Sequence, residues 1–285
     1  MILIHIITIT IKKMKIIKSK NEIKKRLFQE KSISLVPTMG GIHYGHISLI
    51  QKAIKKSKIT VVSLYVNPKQ FNSRTDYLSY PRNFKNDLNI LKKFKIDYVF
   101  IPTFKEIYNF KTKHKPFVHK FEKKLCGKFR PKHFKGVIEV VNRLIEIVNP
   151  NYLFLGNKDF QQSFLIGKHI KKKNIKTAII NCVTVRDKYG VAYSTRNKNL
   201  KKKETFALRN IIKFLRLNKK IFKNDFLNKN KIKYIIKKIK ELGATKVDYI
   251  EPVKISVLGK KNKDKHKFNL FSAFYINKTR FIDNF

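Results

Sequence analysis

The stretch Val36–His46 reads VPTMGGIHYGH and joins two segments of different periodicity. The apolar run Ile33–Val36 leads into it and predicts a buried strand, whereas the apolar residues of 47–54 recur at helical spacing. Three glycines within the stretch give the backbone the conformational freedom that a tight turn needs. The sequence therefore predicts a strand, a glycine-bearing turn and a helix.

Such a turn places backbone N–H groups and the positive end of a helix at the carboxyl edge of a sheet, which favours a bound phosphate. His43 and His46 add two imidazoles, whose neutral forms are favoured there and can donate a hydrogen bond to a phosphoryl oxygen. The alternative is a tight turn with two exposed histidines. No third ligand for zinc lies nearby, and the Walker and G-x-G-x-x-G patterns are absent from the sequence.

Apolar runs without polar alternation predict strands that are buried on both faces, and stretches of helical spacing lie between them. The runs are Ile33–Val36, Ile59–Val66, Tyr98–Ile101, Tyr152–Leu155 and Ala178–Val185. This alternation predicts an α/β fold, a Rossmann-like parallel sheet flanked by helices. Parallel sheets of this kind bind ligands at the carboxyl ends of their strands.

After about Arg186 the alternation weakens, which predicts a second domain. We expect a Rossmann-like nucleotide-binding domain over 1–185 and a smaller C-terminal α+β domain over 186–285 that closes over the active site. The expected elements of the second domain are the lysine-rich helical segment Ile211–Ile239, short strands at Lys246–Pro252 and Phe271–Ile282, and a polar loop at Asn262–Lys267.

The net charge is +48, from 66 Lys and Arg against 18 Asp and Glu. The basic residues are mostly lysine and are spread along the whole chain, which indicates compositional bias more than a nucleic-acid-binding arm. A polyanion-binding role is the alternative. In either case the charge attracts small anions such as nucleotides.

Two sequence features concern the compartment. Cys126 and Cys182 form neither a metal-binding nor a disulfide pattern, so we expect a reducing, cytoplasmic location. The apolar segment Met1–Ile11 is too short to span a membrane and lacks the features of a signal peptide. We interpret it as a first strand of the core, with an over-extended start codon as the alternative, and expect no membrane partner.

Further polar stretches lie next to predicted strands and helices. The sequence 156–162 reads GNKDFQQ, in which Lys158 could hold phosphates and Asp159 a ribose hydroxyl, although a capped helix start is the alternative. Tyr193–Asn197 reads YSTRN, and hydroxyls beside an arginine suit a phosphate clamp. Asn67–Phe71 and Arg130–His133 add amides and cations. Together these stretches favour a nucleotide-using enzyme.

With these motifs the chain, from about Ile33 onward, resembles the pantoate–β-alanine ligase (pantothenate synthetase) family of H-x-G-H-type nucleotidyltransferases. The matching segments are VPTMGGIHYGH, VVSLYVNPKQF, YPRNFKNDL, RPKHFKGV, GNKDFQQ, STRN, DYIEPV and FYINKTRFIDN. The resemblance implies condensation of (R)-pantoate with β-alanine through a pantoyl adenylate, with release of pyrophosphate and AMP. It also implies ATP as substrate with Mg²⁺, and a homodimer. A related adenylyltransferase with another acceptor is a further alternative.

The resemblance also implies residue roles. His46, as the proton donor, with His43 and Lys158 would be catalytic; Gln70 and Gln162 would hold pantoate, and Arg130 and His133 would line the site. The implied ATP-binding residues are Met39, Gly40, Gly41, Ile42, His43, Tyr44, Gly45, His46, Gly156, Asn157, Lys158, Asp159, Val185, Tyr193, Ser194, Thr195 and Arg196. No metal ligand is assigned, but Asp87 is a candidate anchor for Mg²⁺.

The chain departs from the usual family pattern at five of these positions. The departures are Gly41 for alanine, Tyr44 for glutamate, Asn157 for glutamate, Thr195 for serine and Tyr193 for methionine or leucine. None of them removes a functional group that the implied chemistry needs. We therefore expect an active enzyme.

Overall fold

The computed structural model describes residues 14–222, 228–254 and 268–285, and within them the predicted parallel sheet is present. It has six strands in the order β1-β4-β3-β2-β5-β6, all parallel. The strands are β1 (Lys15–Ile17), β2 (Ile33–Thr38), β3 (Ile59–Leu64), β4 (Tyr98–Phe100), β5 (Tyr152–Gly156) and β6 (Ala178–Cys182). Strands β3 and β6 end earlier than predicted, and the predicted strand at Met1–Ile11 lies outside the described residues.

The strand order brings two loops together. The chain runs from β2 through β3 to β4 on one side, and then returns to place β5 on the other side of β2. The carboxyl ends of β2 and β5 are therefore adjacent at the point where the strand order reverses, and parallel sheets bind ligands at such points. The turn after β2 and the GNKD loop after β5 both begin at this point.

Helices connect the strands, as the apolar spacing predicted. They are α1 (Lys20–Leu27), α2 (Tyr44–Lys56), α3 (Arg74–Leu78), α4 (Phe84–Leu91), α5 (Phe104–Tyr108), α6 (Cys126–Phe129), α7 (His133–Val148), α8 (Phe160–Lys172), α9 (Lys202–Asn218) and α10 (Lys229–Glu241). The long helix α7 is the most apolar of the helices next to the parallel sheet. Its buried face packs against β2, β3 and β5 in one hydrophobic cluster.

A second, antiparallel sheet contains β7 (Lys246–Lys254), β8 (Phe268–Ile276) and β9 (Thr279–Asn284). It shares a hydrophobic cluster with α9 and α10 that is separate from the clusters of the parallel sheet. The expected single helical segment Ile211–Ile239 is two helices, because α9 ends at Asn218. The expected strand Phe271–Ile282 is a hairpin that turns at Asn277, whose φ of 50° lies in the left-handed region. The expected loop Asn262–Lys267 lies outside the described residues.

Gly136, in the first turns of α7, allows this helix to contact the segment that carries Gln70. A Cβ atom at Gly136 would lie 2.2 Å from the carbonyl oxygen of Lys69, which is closer than real Cβ atoms come. Asn67 fixes the contact, since its Nδ2 donates to the Gly136 carbonyl at 3.1 Å. The helix thus sets the position of the turn after β3.

We expect Gly136→Ala to lower the free energy of unfolding by about 1–3 kcal/mol, because the new methyl group overpacks the contact with Lys69. Gly167→Ala in α8 is the matched control, since a Cβ there meets only the Ile179 Cδ1 atom, at 3.6 Å. That control should be neutral or stabilising by about 0.5–1 kcal/mol, as glycine weakens a helix interior. Urea unfolding measures the free energy of unfolding of both variants. An equal change in the two would contradict the close contact between Gly136 and Lys69.

Candidate active site

The turn after β2 depends on one buried carboxylate. Gly40 and Gly41 have φ values of +81° and +65°, in the left-handed region that favours glycine. Asp87, from α4 and 1% exposed, accepts the Gly41 N–H at 2.9 Å and the Ile42 N–H at 2.8 Å. Thr38 Oγ1 accepts the N–H of Gly40 at 3.2 Å. These bonds fix the turn before any ligand is present.

These bonds bear on two expectations from the sequence. The N–H groups of Gly40, Gly41 and Ile42 are bonded inside the protein, so these three are not available to a phosphate. Asp87 is not a free anchor for Mg²⁺, because it is buried and accepts two backbone N–H groups. Across 14–222, 228–254 and 268–285, moreover, no three His, Cys, Asp or Glu side chains form a metal-binding group. The described side chains do not fit a protein-held Mg²⁺ site.

The two histidines stack on each other at the start of α2. Their ring centroids are 4.0 Å apart, and His43 caps the helix by accepting the Gly45 N–H at Nδ1, 3.1 Å away. Because Nδ1 of His43 accepts, the proton of the neutral ring is on Nε2. In His46 it is Nδ1 that is buried without a hydrogen-bond partner.

Both imidazoles are neutral at physiological pH. Burial, together with repulsion from His46 and Lys158, lowers the pKa of His43 to about 3. Burial also lowers the pKa of His46 to about 4, again with a contribution from Lys158. The sequence predicted neutral rings because of the helix dipole, whereas burial is the main cause in the structure.

The GNKD loop is fixed from the small sheet. Asn284 at the end of β9 donates both Nδ2 hydrogens to this loop, to the carbonyls of Asn157 and Lys158 at 2.9 Å each. The Lys158 ammonium lies 3.4 Å from Oδ1 of Asp159. The position of Lys158 therefore depends on a residue from the other end of the chain.

The predicted clamp Tyr193–Asn197 is hydrogen-bonded to Val185, and the neighbouring Arg186 is tied to β9. Arg186 forms a bidentate ion pair with Asp283, with N–O distances of 2.7 and 2.8 Å. The Tyr193 N–H donates to the Val185 carbonyl at 3.1 Å, and Ser194 Oγ accepts the Arg196 N–H at 3.3 Å. The clamp is thus a short bridged loop followed by a 3-10 turn.

A third group of polar residues surrounds Gln70. His133 Nδ1 lies 2.6 Å from the Gln70 carbonyl, which can only accept, so Nε2 of His133 accepts from Arg130 at 3.3 Å. Burial lowers the pKa of His133 to about 3 and that of Arg130 to about 10, helped in Arg130 by Arg196. The Gln70 side chain donates to Met39 Sδ at 2.7 Å, which brings it next to the histidine turn.

The two adjacent glutamines of α8 have different roles. Gln161 is 6% exposed, and its amide is hydrogen-bonded to the backbone of 121–126. Its Oε1 accepts the Cys126 N–H, and its Nε2 donates to the carbonyls of Phe121 and Lys124. Both glutamines line the cavity. The backbone bonds of Gln161 distinguish it from Gln162, to which the resemblance assigned pantoate.

One cavity of about 280 Å³ brings most of the predicted residues together. It is lined by Met39, His43, Gly45, His46, Gln70, Arg130, His133, Gly156, Lys158, Asp159, Gln162, Val185, Tyr193, Ser194, Thr195 and Arg196. The other predicted residues, Gly40, Gly41, Ile42, Tyr44 and Asn157, lie outside this lining. Of these, Tyr44 is 64% exposed.

Sequence reasoning missed four residues that shape the site. Asp87 was assigned to metal instead of to the turn, and no role was assigned to Asp283, to Asn284 or to Tyr80, which also lines the cavity. Burial raises the pKa of Tyr80, while a hydrogen bond with Thr195 opposes the rise. The quoted segments YPRNFKNDL and FYINKTRFIDN contain all four, but their spacing gives no indication of these long-range contacts.

A parallel sheet with a stacked histidine pair, a lysine loop and an arginine clamp at one edge defines an α/β nucleotide-binding enzyme. The family model described as "Pantoate-beta-alanine ligase" matches residues 9–285, and the chain belongs to this family.

Relatives cover nearly the whole chain. The pantothenate synthetase of Endomicrobium trichonymphae is 41% identical over 277 residues, covering 95% of this chain and 97% of the relative. That of Sulfurihydrogenibium sp. (strain YO3AOP1) is 40% identical over 262 residues, covering 90% and 92%.

Two solved structures share the fold. The pantoate-beta-alanine ligase from Francisella tularensis, complexed with beta-gamma ATP and beta-alanine, superposes with a TM-score of 0.80 at 37% identity, covering 95% of this chain and 97% of that one. The pantothenate synthetase from Thermus thermophilus gives 0.84 at 25% identity, covering 95% and 98%. Among the described residues, no helix has the length and apolar character to cross a membrane.

We expect His43, His46, His133 and His169 to stay neutral down to about pH 5, because burial is the largest cause that lowers each pKa, to between about 3 and about 4. NMR titration of the ring C–H resonances measures this directly. Midpoints near the ordinary value of about 6.5 would contradict the burial of these rings.

The same pKa shifts predict loss of stability in acid. The unfolded chain binds protons at these histidines below about pH 6.5, whereas the folded chain binds them only near pH 3 to 4. Their contribution to the free energy of unfolding is therefore complete above about pH 6.5 and decreases as the pH falls toward 4.

Proposed function

We propose that this protein condenses pantoate with β-alanine in an ATP-dependent reaction that releases AMP and pyrophosphate. The observation that carries the proposal is the single cavity in which the two imidazoles, Lys158 and Arg196 meet. The family of the chain supports it. So does the Francisella tularensis structure, which holds beta-gamma ATP and beta-alanine on the same fold.

The first step would join pantoate to the adenylyl group. A carboxylate oxygen of pantoate attacks the α-phosphorus, the bond to the β-phosphate oxygen breaks, and pyrophosphate leaves. This step needs positioning and neutralisation of charge, not a protein nucleophile. Lys158 and Arg196 would supply the charge, and the neutral His43 could donate from Nε2 to a phosphoryl oxygen. His46 would be the second imidazole donor.

The second step would form the amide. The neutral amine of β-alanine attacks the acyl carbon of pantoyl adenylate, the acyl–phosphate bond breaks, and AMP leaves with the electron pair while the amine loses a proton. Gln70 and Gln162 are suited to the polar groups of pantoate. The apolar wall that Val137, Val140 and Val141 contribute to the cavity suits its two methyl groups.

Further features belong to the same proposal. Mg²⁺ would enter on the phosphates of ATP, since the described side chains offer it no site of their own. Residues 186–285 would form the smaller domain and close over the cavity. Their separate hydrophobic cluster supports this division, and the hydrogen bonds of Asn284 to the GNKD loop support the closure. We also propose a cytoplasmic homodimer.

Isotope exchange tests the first step. We expect the purified protein to exchange labelled pyrophosphate into ATP only when pantoate is present, because the adenylate forms reversibly before the amine reacts. Other hydroxy acids of similar size serve as controls. Exchange that another acid triggers and pantoate does not would assign the chain to a different acceptor, and no exchange with any acid would refute the proposal.

We expect His46→Ala to slow pantoate-dependent exchange by about 10²–10³-fold, the usual effect of removing one hydrogen-bond donor to a developing charge. Gln51→Ala is the matched control, since Gln51 lies exposed on the same helix and outside the cavity lining. It should keep the parental rate. A near-normal rate with His46→Ala would remove His46 from the mechanism.

A further inference from the structure

Thr195 and Gly41 share one small space between the clamp and the histidine turn. A Cβ atom on Gly41 would lie 2.4 Å from Thr195 Cγ2 and 2.8 Å from Thr195 Oγ1, distances that real Cβ atoms do not reach. The Thr195 methyl group therefore occupies the volume that a side chain at position 41 would need. Thr195 is 6% exposed, so the contact is closed to water.

A hydrogen bond joins the same two residues. Thr195 Oγ1 donates to the Gly41 carbonyl at 3.3 Å, in a buried position. Threonine is branched at Cβ, which restricts its side-chain rotamers, so the methyl contact and the hydroxyl bond hold each other in place. The same side chain also hydrogen-bonds Tyr80, so it contacts both the turn and the segment before α4.

A second contact lies alongside the first. The rings of Tyr44 and Tyr193 pack with centroids 5.1 Å apart at an angle of 58°. Because Tyr193 lies two residues before Thr195, the clamp follows the turn over several residues. The next clamp residue, Arg196, lines the cavity with His43 and His46.

We propose that Thr195 is a positioning residue that locks the clamp onto the histidine turn. The lock sets Arg196 and the imidazoles in one frame before nucleotide binds, and such preorganisation reduces what ATP must order on binding. This inference rests on the proposed ATP-binding role of the clamp. It assigns to Thr195 a contact with the turn that is made in the absence of nucleotide.

A double-mutant cycle on exchange activity tests the shared space, with the wild type, Gly41→Ala, Thr195→Ser and the combination of both. Gly41→Ala should lower the rate of pantoate-dependent exchange by about 30-fold, because the methyl groups clash. In the Thr195→Ser background Cγ2 is absent, and the hydroxyl of the unbranched serine is free to rotate away from the new methyl group, so the same change should cost less than about 3-fold. Backbone strain from alanine at positive φ is common to both backgrounds and cancels in the cycle.

Gly40→Ala is the matched control. It places alanine at a similar φ in the same turn, but its Cβ would meet Asp87 Oδ2 at 2.8 Å and not Thr195. Its cost should therefore be the same with threonine or serine at position 195. An equal cost of Gly41→Ala in the two backgrounds would overturn the proposal, as would rescue of Gly40→Ala by serine.

Hydrogen exchange of the nucleotide-free protein tests the lock without catalysis. The amides of Tyr193 and Asn197 are hydrogen-bonded within the clamp, to Val185 and Ser194. Thr195→Ala should speed their exchange by about 10-fold and raise the KM for ATP, because the hydrogen bonds with Gly41 and Tyr80 and one packed methyl group are lost. Unchanged amide exchange would refute the lock. A wild type without exchange activity would refute the proposed function, while the amides would still decide on Thr195.

Discussion

The bond between the Asp87 carboxylate and two consecutive backbone N–H groups is the constraint on which the rest of the site depends. It holds Gly40 and Gly41 in a left-handed conformation at the end of β2 and so sets where α2 begins. Because α2 begins there, His43 caps it and His46 stacks on His43. The same carboxylate takes the N–H groups of Gly41 and Ile42, which are therefore not available to a ligand.

Much of the fold could be predicted from the sequence, because strands buried on both faces leave continuous apolar runs. Ile59–Leu64 and Tyr152–Gly156 are such runs, and they formed strands near the expected bounds. The ends were less predictable, since Val183 is apolar yet 74% exposed and follows the last residue of β6. Apolar character could not reveal that the backbone pairing stops at Cys182.

The motifs predicted which residues line the site, but not what holds them. Sequence order gives no sign that Asn284 supports the loop of Lys158, because 126 residues separate them. Nor does it show that departures from the family pattern meet in space. Gly41 contacts Thr195 and Tyr44 contacts Tyr193, so four apparently independent changes are two contacting pairs. Only the folded structure shows that the small Gly41 of one motif contacts the larger Thr195 of the other.

The electrostatics of the site differ from those of the chain as a whole. A net charge of +48 would suggest that positively charged side chains line the whole cavity. The two histidines of the cavity are nevertheless neutral, because burial disfavours the imidazolium form. Lys158 adds to this, since it opposes a further positive charge at either ring. In the proposed reaction the site would separate two tasks: fixed cations would attract the anionic substrate, and neutral donors would remain available for charge that develops during reaction. That division depends on the turn and the clamp keeping their relative position, because a displaced imidazole exposed to water would regain its ordinary pKa and become another cation.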